Sequence, residues 1–381
     1  MGELRRKLAA AGRVFWKSDL PLNLVAFVTS RCNLLCRHCF YWQELNQKKN
    51  ELTLDEYERI SASLPSLLSL SLTGGEPYLR KDLGEIAGAF VRNSRVQNIQ
   101  IPSNGFLPER TVRGAEAVLQ RVGMTRVATG VSLDGPEEIH NRIRNHPQSF
   151  DRAVESFRGL QALKAKYPNL SVGVAVTVNR ANQDSLEDFL DFVEDELVPD
   201  AVTITLARGE PLDPELVAVS PDRYRRIADR VVSYRLARLR GARVTDRLLV
   251  AKEEGVYRRV EETAREGRRV ADCFAGLLSA VISETGEVFP CEVLDRSMGN
   301  IRDFGGDFAA LWRSQQARSV YDYQQRLRCH CTYECAMSVN VLCERPPLVP
   351  LAWRAAKATL TPRKQGNRGR SDPENRLTSS G

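Results

Sequence analysis

Asn23-Leu24-Val25-Ala26-Phe27-Val28-Thr29 runs directly into Ser30-Arg31-Cys32-Asn33-Leu34-Leu35-Cys36-Arg37-His38-Cys39. The first seven residues are a short apolar run with β-branched members, the pattern of a strand buried on both faces of a parallel sheet. The three cysteines that follow lie within eight residues, in the loop after the strand. Outward from this point the chain alternates strand and helix. Leu52–Leu64 has helical spacing, with Thr53 and Glu56 placed as a capping box. Leu67–Leu72 predicts a second strand, ending at Thr73-Gly74-Gly75-Glu76-Pro77, and Leu83–Val91 a helix. Strands are expected at Val96–Ile101, Val127–Leu133, Leu170–Val178 and Ala201–Leu206, with helices at Arg110–Arg121, Phe150–Lys166 and Asp184–Leu197 between them. Alternating βα units imply a parallel sheet with right-handed crossovers. Six units are too few for a closed eight-stranded barrel, so the fold class is α/β, a partial (β/α)6 TIM-like barrel.

In such a sheet, ligands sit at the carboxyl ends of the strands. The three cysteines, Gly74-Gly75-Glu76-Pro77, Ser103-Asn104, Asp134 and Asn179 each follow a strand, so five chemically active loops share one rim. Beyond Arg208, prolines at 211, 214 and 221 mark a helical linker over 209–270, with helices expected at Asp222–Arg240 and Glu253–Arg269. Residues 271–345 hold six cysteines and little periodicity beyond a hairpin pairing Ala280–Ile282 with Val288–Phe289. Metal ligation would stabilise a segment with so thin a core.

Composition narrows the class. The chain has 381 residues, 42% hydrophobic and 27% charged, enough for a large core and too apolar for a disordered protein. Its net charge of +7 is concentrated at the ends: residues 1–20 carry +3 and 352–381 carry +5, leaving the body at −1. A basic groove for nucleic acid is therefore not expected. Leu4, Leu8, Phe15 and Trp16 beside Arg5, Arg6, Lys7 and Arg13 suggest weak contact of the basic segment 1–20 with a membrane surface, and 346–381 reads as a basic, disordered tail. Without a run of about 18 apolar residues or a signal peptide, a cytoplasmic address is expected. Nine cysteines in that reducing compartment, odd in number and clustered, point to metal ligation rather than disulfides.

Three thiolates leave a tetrahedral zinc site one ligand short, and His38, adjacent to Cys39, is awkwardly placed to complete it. On a [4Fe–4S] cluster the same three leave one iron open to a small molecule. Cys32-x-x-x-Cys36-x-x-Cys39 after a first strand, with Gly74-Gly75-Glu76-Pro77 about 40 residues on, resembles the radical S-adenosylmethionine (SAM) superfamily. The resemblance implies that Cys32, Cys36 and Cys39 ligate the cluster, whose open iron chelates SAM. It places Gly74, Gly75 and Glu76 at the SAM amino group and Phe40 and Tyr41 near the adenine. Ser103, Asn104 and Ser132 would serve the ribose or carboxylate, and Arg144 the carboxylate. Asp134-Gly135-Pro136 through His140-Asn141-Arg142-Ile143-Arg144 resembles a segment of the subgroup with C-terminal cysteines.

The later cysteines, Cys273, Cys291, Cys329, Cys331, Cys335 and Cys343, resemble a SPASM or twitch domain, implying at least one auxiliary [4Fe–4S] cluster. Cys335 or Cys343 would be a ligand or, as a spare thiol, a catalytic hydrogen donor. The reading implies a reductant protein of flavodoxin or ferredoxin type. Its substrate would be a peptide or protein to be oxidised or cross-linked; the alternative is a small molecule, lipid or cofactor precursor undergoing dehydrogenation or rearrangement. A non-catalytic zinc-binding adaptor is the alternative of another class. Anaerobic iron and sulfide analysis separates these: about eight irons per chain for two cubanes and brown colour, about four for the SAM cluster alone, and none for the adaptor.

Overall fold

The computed structural model describes residues 19–64, 66–239, 244–327 and 329–343. The basic segment at 1–18 and the tail from 344 onward, on which the membrane-contact expectation rests, lie outside the described residues. Six parallel strands form the core sheet: β1 (Asn23–Thr29), β2 (Ser69–Gly74), β3 (Asn98–Ser103), β4 (Arg126–Ser132), β5 (Leu170–Val178) and β6 (Ala201–Leu206). They lie in the order 6-5-4-3-2-1, so each βα unit adds a strand beside the last. Between them run α1 (Leu54–Ala62), α2 (Leu83–Ser94), α3 (Pro108–Arg121), α4 (Glu137–Arg144), α5 (Ser149–Leu163) and α6 (Leu186–Phe192). The expected partial (β/α)6 barrel is the observed architecture. β2 and β3 begin two residues later than their apolar runs, because Leu67 and Val96 are buried before strand pairing starts.

Helix α4 is absent from the sequence reading, and its composition explains why. Its buried residues are His140, Ile143 and Arg144, two of them polar, so no apolar stripe announces it. The segment read as a linker also differs. Helices α7 (Pro221–Arg238) and α8 (Val244–Glu266) pack on each other, and α7 packs on β6. They place Tyr224, Ile227, Val231, Val256 and Val260 in the main core. They cover the open edge of the sheet, which would otherwise offer unpaired backbone groups.

At the opposite edge, β1 pairs in parallel with β7 (Ser279–Ile282), Asn23 opposite Ser279. β7 continues antiparallel into β8 (Glu287–Phe289) and β9 (Gly299–Asn300), giving one nine-stranded sheet. The expected hairpin is present, and around it stand α9 (Phe308–Trp312), α10 (Gln315–Leu327) and α11 (Glu334–Cys343), three helices the sequence reading missed. α11 mixes Ala336, Met337, Val339 and Val341 with buried Glu334 and Asn340, so it shows no amphipathic alternation.

The capping box of α1 is formed as expected: Thr53 Oγ1 accepts from the Glu56 amide, and the Glu56 carboxylate accepts from the Thr53 amide at 2.7 Å. The same carboxylate pairs with Arg302 at 2.6 Å, tying the C-terminal region to the core. Arg302 first, then the Thr53 hydrogen bonds, hold the Glu56 pKa down to about 2. A depressed carboxylate contributes stability that is complete above the ordinary pKa near 4.5 and lost as pH falls through about 2. Glu56→Gln is expected to cost about 1 kcal/mol at pH 7, discounted for solvent screening, and to flatten the melting-temperature profile between pH 5 and 2. Thermal unfolding monitored by circular dichroism across that range checks this; an unchanged acid limb would show that the pair contributes nothing.

Candidate active site at the carboxyl ends of the strands

The cysteine loop and the glycine motif are joined through backbone. The β1–β2 register shifts between Phe27 and Thr29, so Thr29 stands opposite Gly74. There the Gly75 amide donates to the Thr29 carbonyl at 2.9 Å and the Glu76 amide to the Arg31 carbonyl at 2.8 Å. A Cβ on Gly74 would lie 2.2 Å from the Thr29 oxygen, and one on Gly75 2.2 Å from the Arg31 oxygen. Gly74 also has φ +134°, which side chains disfavour. The close approach that these glycines permit is to the start of the cysteine loop.

Elsewhere the loop is clamped by residues that no motif announced. Asn46 accepts from the Cys32 amide and donates to the Cys32 carbonyl, at 3.0 and 3.1 Å. Glu51 accepts from the Thr29 hydroxyl and the Ser30 amide. The Arg37 amide bonds the Ile143 carbonyl on α4, and the Asp213 amide bonds the Arg37 carbonyl. So held, the three thiols lie within electrostatic range of one another. Burial pushes Cys32 up to about 12, Cys39 up to about 11 and Cys36 in the same direction. A bound cation reverses that penalty, because the thiolate is the ligand form. Among the described residues no three His, Cys, Asp or Glu side chains converge on a single metal ion. The buried Asn33 Nδ2 and His38 Nδ1 in this loop lack partners among the described residues, leaving polar capacity for a guest.

Glu76 is buried, and burial raises its pKa to about 7 against three opposing hydrogen bonds. These come from Ser103 Oγ at 3.0 Å, the Asn104 amide at 2.8 Å and the Tyr78 amide. Ser103 and Asn104, expected to face SAM directly, thus also orient Glu76. The Asn104 side-chain amide lies 3.8 Å from Cys32 Sγ. Ser132 stands at the end of β4, on the same rim.

Arg144 is buried, with Nε 2.7 Å from Asp134 and one terminal nitrogen 3.7 Å from Cys36 Sγ. Asp134 is fully buried. Burial drives its carboxyl pKa up, but Arg144 together with the nearby histidines and the Thr177 amide holds it below the usual range. Asp134 also accepts from the Thr177 amide at 2.9 Å, which links β4 to β5. His140 and His38 are kept neutral by burial, at about 3 and about 4.

Of the two aromatics expected near adenine, Tyr41 packs on Phe27 and gives its hydroxyl to Glu284, which also pairs with Lys49. Phe40 stacks with Arg208 at 5.4 Å, and the other flank of that guanidinium meets the Tyr333 ring at 4.5 Å. Arg208 pairs with Glu292 at 2.9 Å and Glu334 at 3.5 Å. Phe40 follows Cys39 and Glu292 follows Cys291, so this one cation spans from the first cysteine loop to the C-terminal cysteines. Nothing in the local sequence marked Arg208, Glu284, Glu292 or Glu334, which only the fold brings together.

The six later cysteines fall into different surroundings. Cys273, Cys329 and Cys331 line one small cavity with His330, and Cys291 packs in the same apolar cluster as Cys273 and Cys331. Cys335 is exposed, and Cys343 packs against the separate cluster of Leu22, Phe274, Leu278 and Val339. Three thiols at the cavity, with Cys291 in the adjoining cluster, are enough donors for a cubane.

Gly75→Ala is expected to cost about 1–3 kcal/mol by overpacking and to lower the iron retained by the cysteine loop. Gly130→Ala, whose new methyl meets Ala175 at an ordinary 3.5 Å, serves as the control. Melting temperature and iron content of both variants test the claim, and equal effects would refute it.

Comparison with known proteins follows this geometry. A family model of the Radical SAM superfamily matches residues 27–193, and one of the SPASM iron–sulfur cluster-binding domain matches 273–336. The chain is 33% identical over 200 residues to Fe-coproporphyrin III synthase of Methanosarcina barkeri, covering 52% of this chain and 47% of that protein. It is 26% identical to AdoMet-dependent heme synthase of Oleidesulfovibrio alaskensis, covering 82% and 80% of the two chains. It is 24% identical to the antilisterial bacteriocin subtilosin biosynthesis protein AlbA of Bacillus subtilis, covering 82% and 64%. The crystal structure of Streptococcus suis SuiB bound to S-adenosylmethionine shares the fold at a TM-score of 0.57 and 16% identity, covering 85% and 72%. The two domain matches overturn the adaptor alternative and bring with them a SAM-binding [4Fe–4S] cluster and an auxiliary iron–sulfur domain. This chain belongs to the radical SAM superfamily, as an enzyme with a C-terminal SPASM domain.

Proposed function

We propose that the enzyme oxidises or cross-links a peptide or protein held between the Cys32–Cys39 loop and the C-terminal cysteines. Bound there, the cluster and SAM would supply the radical chemistry by which hydrogen is taken from the substrate. Cys32, Cys36 and Cys39 hold the cluster. Gly74, Gly75 and Glu76 meet the SAM amino group, where the buried carboxylate suits an ammonium partner. Arg144 faces the SAM carboxylate, kept cationic and oriented by Asp134. Ser103, Asn104 and Ser132 serve the ribose or carboxylate, and Phe40 and Tyr41 the adenine side. A flavodoxin or ferredoxin delivers the electron in the cytoplasm. Among the described residues no helix is long and apolar enough to cross a membrane.

The observation that carries the substrate class is the charge balance at Arg208. Its guanidinium already has two carboxylates, Glu292 at 2.9 Å and Glu334 at 3.5 Å, so the acids outnumber the cation. Such a site favours a guest that donates hydrogen bonds, as backbone amides do, and opposes one rich in carboxylates. The tetrapyrrole reading has its own support in the likeness to AdoMet-dependent heme synthase along most of the chain.

The test is anaerobic turnover with dithionite and SAM, read by mass spectrometry. Equal yields of 5′-deoxyadenosine and methionine are expected, and Cys32→Ala abolishes both. Fe-coproporphyrin III is expected to pass through unchanged, while peptides encoded beside the gene lose hydrogen. Consumption of the porphyrin, with every such peptide unaltered, would replace this reading with the tetrapyrrole one.

A further inference from the structure

We propose that Asn104 and Arg144 raise the reduction potential of the cluster held by Cys32, Cys36 and Cys39, by donating N–H···S hydrogen bonds to two of its three sulfur ligands. This rests on the assignment of those cysteines as the ligands, and goes beyond any contact that the two residues make with SAM.

The neighbours of the Asn104 side chain fix which way its amide faces. Oδ1 accepts from the Phe106 amide at 2.9 Å, which turns Nδ2 toward the cysteine loop. There Nδ2 donates to Asn33 Oδ1 at 3.1 Å and lies 3.8 Å from Cys32 Sγ, so its two N–H groups serve both acceptors. The residue is anchored independently of its side chain, because its own amide donates to Glu76 at 2.8 Å. Arg144 reaches the loop from α4. Asp134 holds its Nε at 2.7 Å, and Nη1 lies 3.7 Å from Cys36 Sγ. Asp134 is in turn fixed by the Thr177 amide at 2.9 Å. Asn104, Asp134, Arg144 and Cys36 are all buried, so water does not compete for these donors.

One electron added to the cluster makes it and its three thiolates more negative by one unit, with no bond broken. An N–H aimed at a ligand sulfur stabilises that more negative state more than the oxidised one, so it raises the potential. The effect is stronger in a low-dielectric interior than in water. The cysteine loop supplies some donors itself, the Leu34 amide to Cys32 and the Tyr41 amide to Cys39. Those bonds come with the loop's own conformation. The Asn104 and Arg144 donors instead come from residues 72 and 108 positions away from the sulfurs they meet. Asp134 already balances the charge of Arg144, so what the guanidinium gives Cys36 is chiefly a directed N–H.

The full chain, reconstituted anaerobically without SAM, is titrated with dithionite against redox mediators and followed by electron paramagnetic resonance. The component missing from Cys32→Ala identifies the cluster of the first cysteine loop. Asn104→Asp keeps the acceptor for the Phe106 amide and loses the donor to Cys32. Arg144→Lys keeps a cation beside Asp134 and loses the planar fork that reaches Asp134 and Cys36 together. Both variants are expected to retain wild-type iron. In each, the ratio of reduced to oxidised cluster at one fixed potential is expected to fall about tenfold, a shift of about 59 mV for one electron, while the other components stay where they were. Asn104→Leu, which removes the donor without adding a charge, is expected to shift the potential in the same direction by less. An unmoved potential overturns the role of the residue replaced. Loss of iron does the same, because the residue would then be holding the loop rather than tuning the cluster. If Cys32→Ala removes no component, the ligand assignment falls and the tuning falls with it.

Discussion

The site depends on one contact between backbones. The amides of Gly75 and Glu76 reach the carbonyls of Thr29 and Arg31 only because no side chain stands between the two strand ends. Through that seam the loop bearing Cys32, Cys36 and Cys39 is placed against the carboxylate of Glu76, and both are fixed to the centre of the sheet. Every later ligand group is positioned relative to this junction. A methyl group at either glycine would force the cysteine loop and the Glu76 turn apart.

Around the junction, buried charges are balanced in pairs rather than left to solvent. Asp134 and Arg144 neutralise each other beside Cys36, and breaking such a buried pair by removing one partner costs about 3–5 kcal/mol. Arg208 is balanced by Glu292 and Glu334 and flanked by two rings. The first pair stabilises the cysteine loop. The second joins the barrel to the SPASM domain, because its members come from the end of β6, the stretch after Cys291 and the start of α11. The two cysteine sites are thereby joined through one buried group of charges.

Much of this was legible in the linear sequence. Strands are written as apolar runs or as apolar residues at every second position, and β1, β5 and β6 fall on the spans those patterns mark. Capping chemistry is local, so Thr53 and Glu56 announced the start of α1. The cysteine spacing and the glycine motif are also local, since a short loop must bring its own ligands to one point. α4 and α11 were not legible, because their buried faces contain His140, Arg144, Glu334 and Asn340. Polar residues enter a core only when distant partners satisfy them, and no local pattern encodes a distant partner.

The amino-acid sequence by itself thus determined the order of βα units, the rim on which the motifs sit and the grouping of the cysteines, all set by interactions within a few tens of residues. The tertiary structure alone decided which cysteines share a cavity, that Gly74 and Gly75 serve the cysteine loop, and that Arg208 meets Glu292 and Glu334. Those facts depend on contacts between residues from about 45 to 126 positions apart, where burial and charge compensation select the partner.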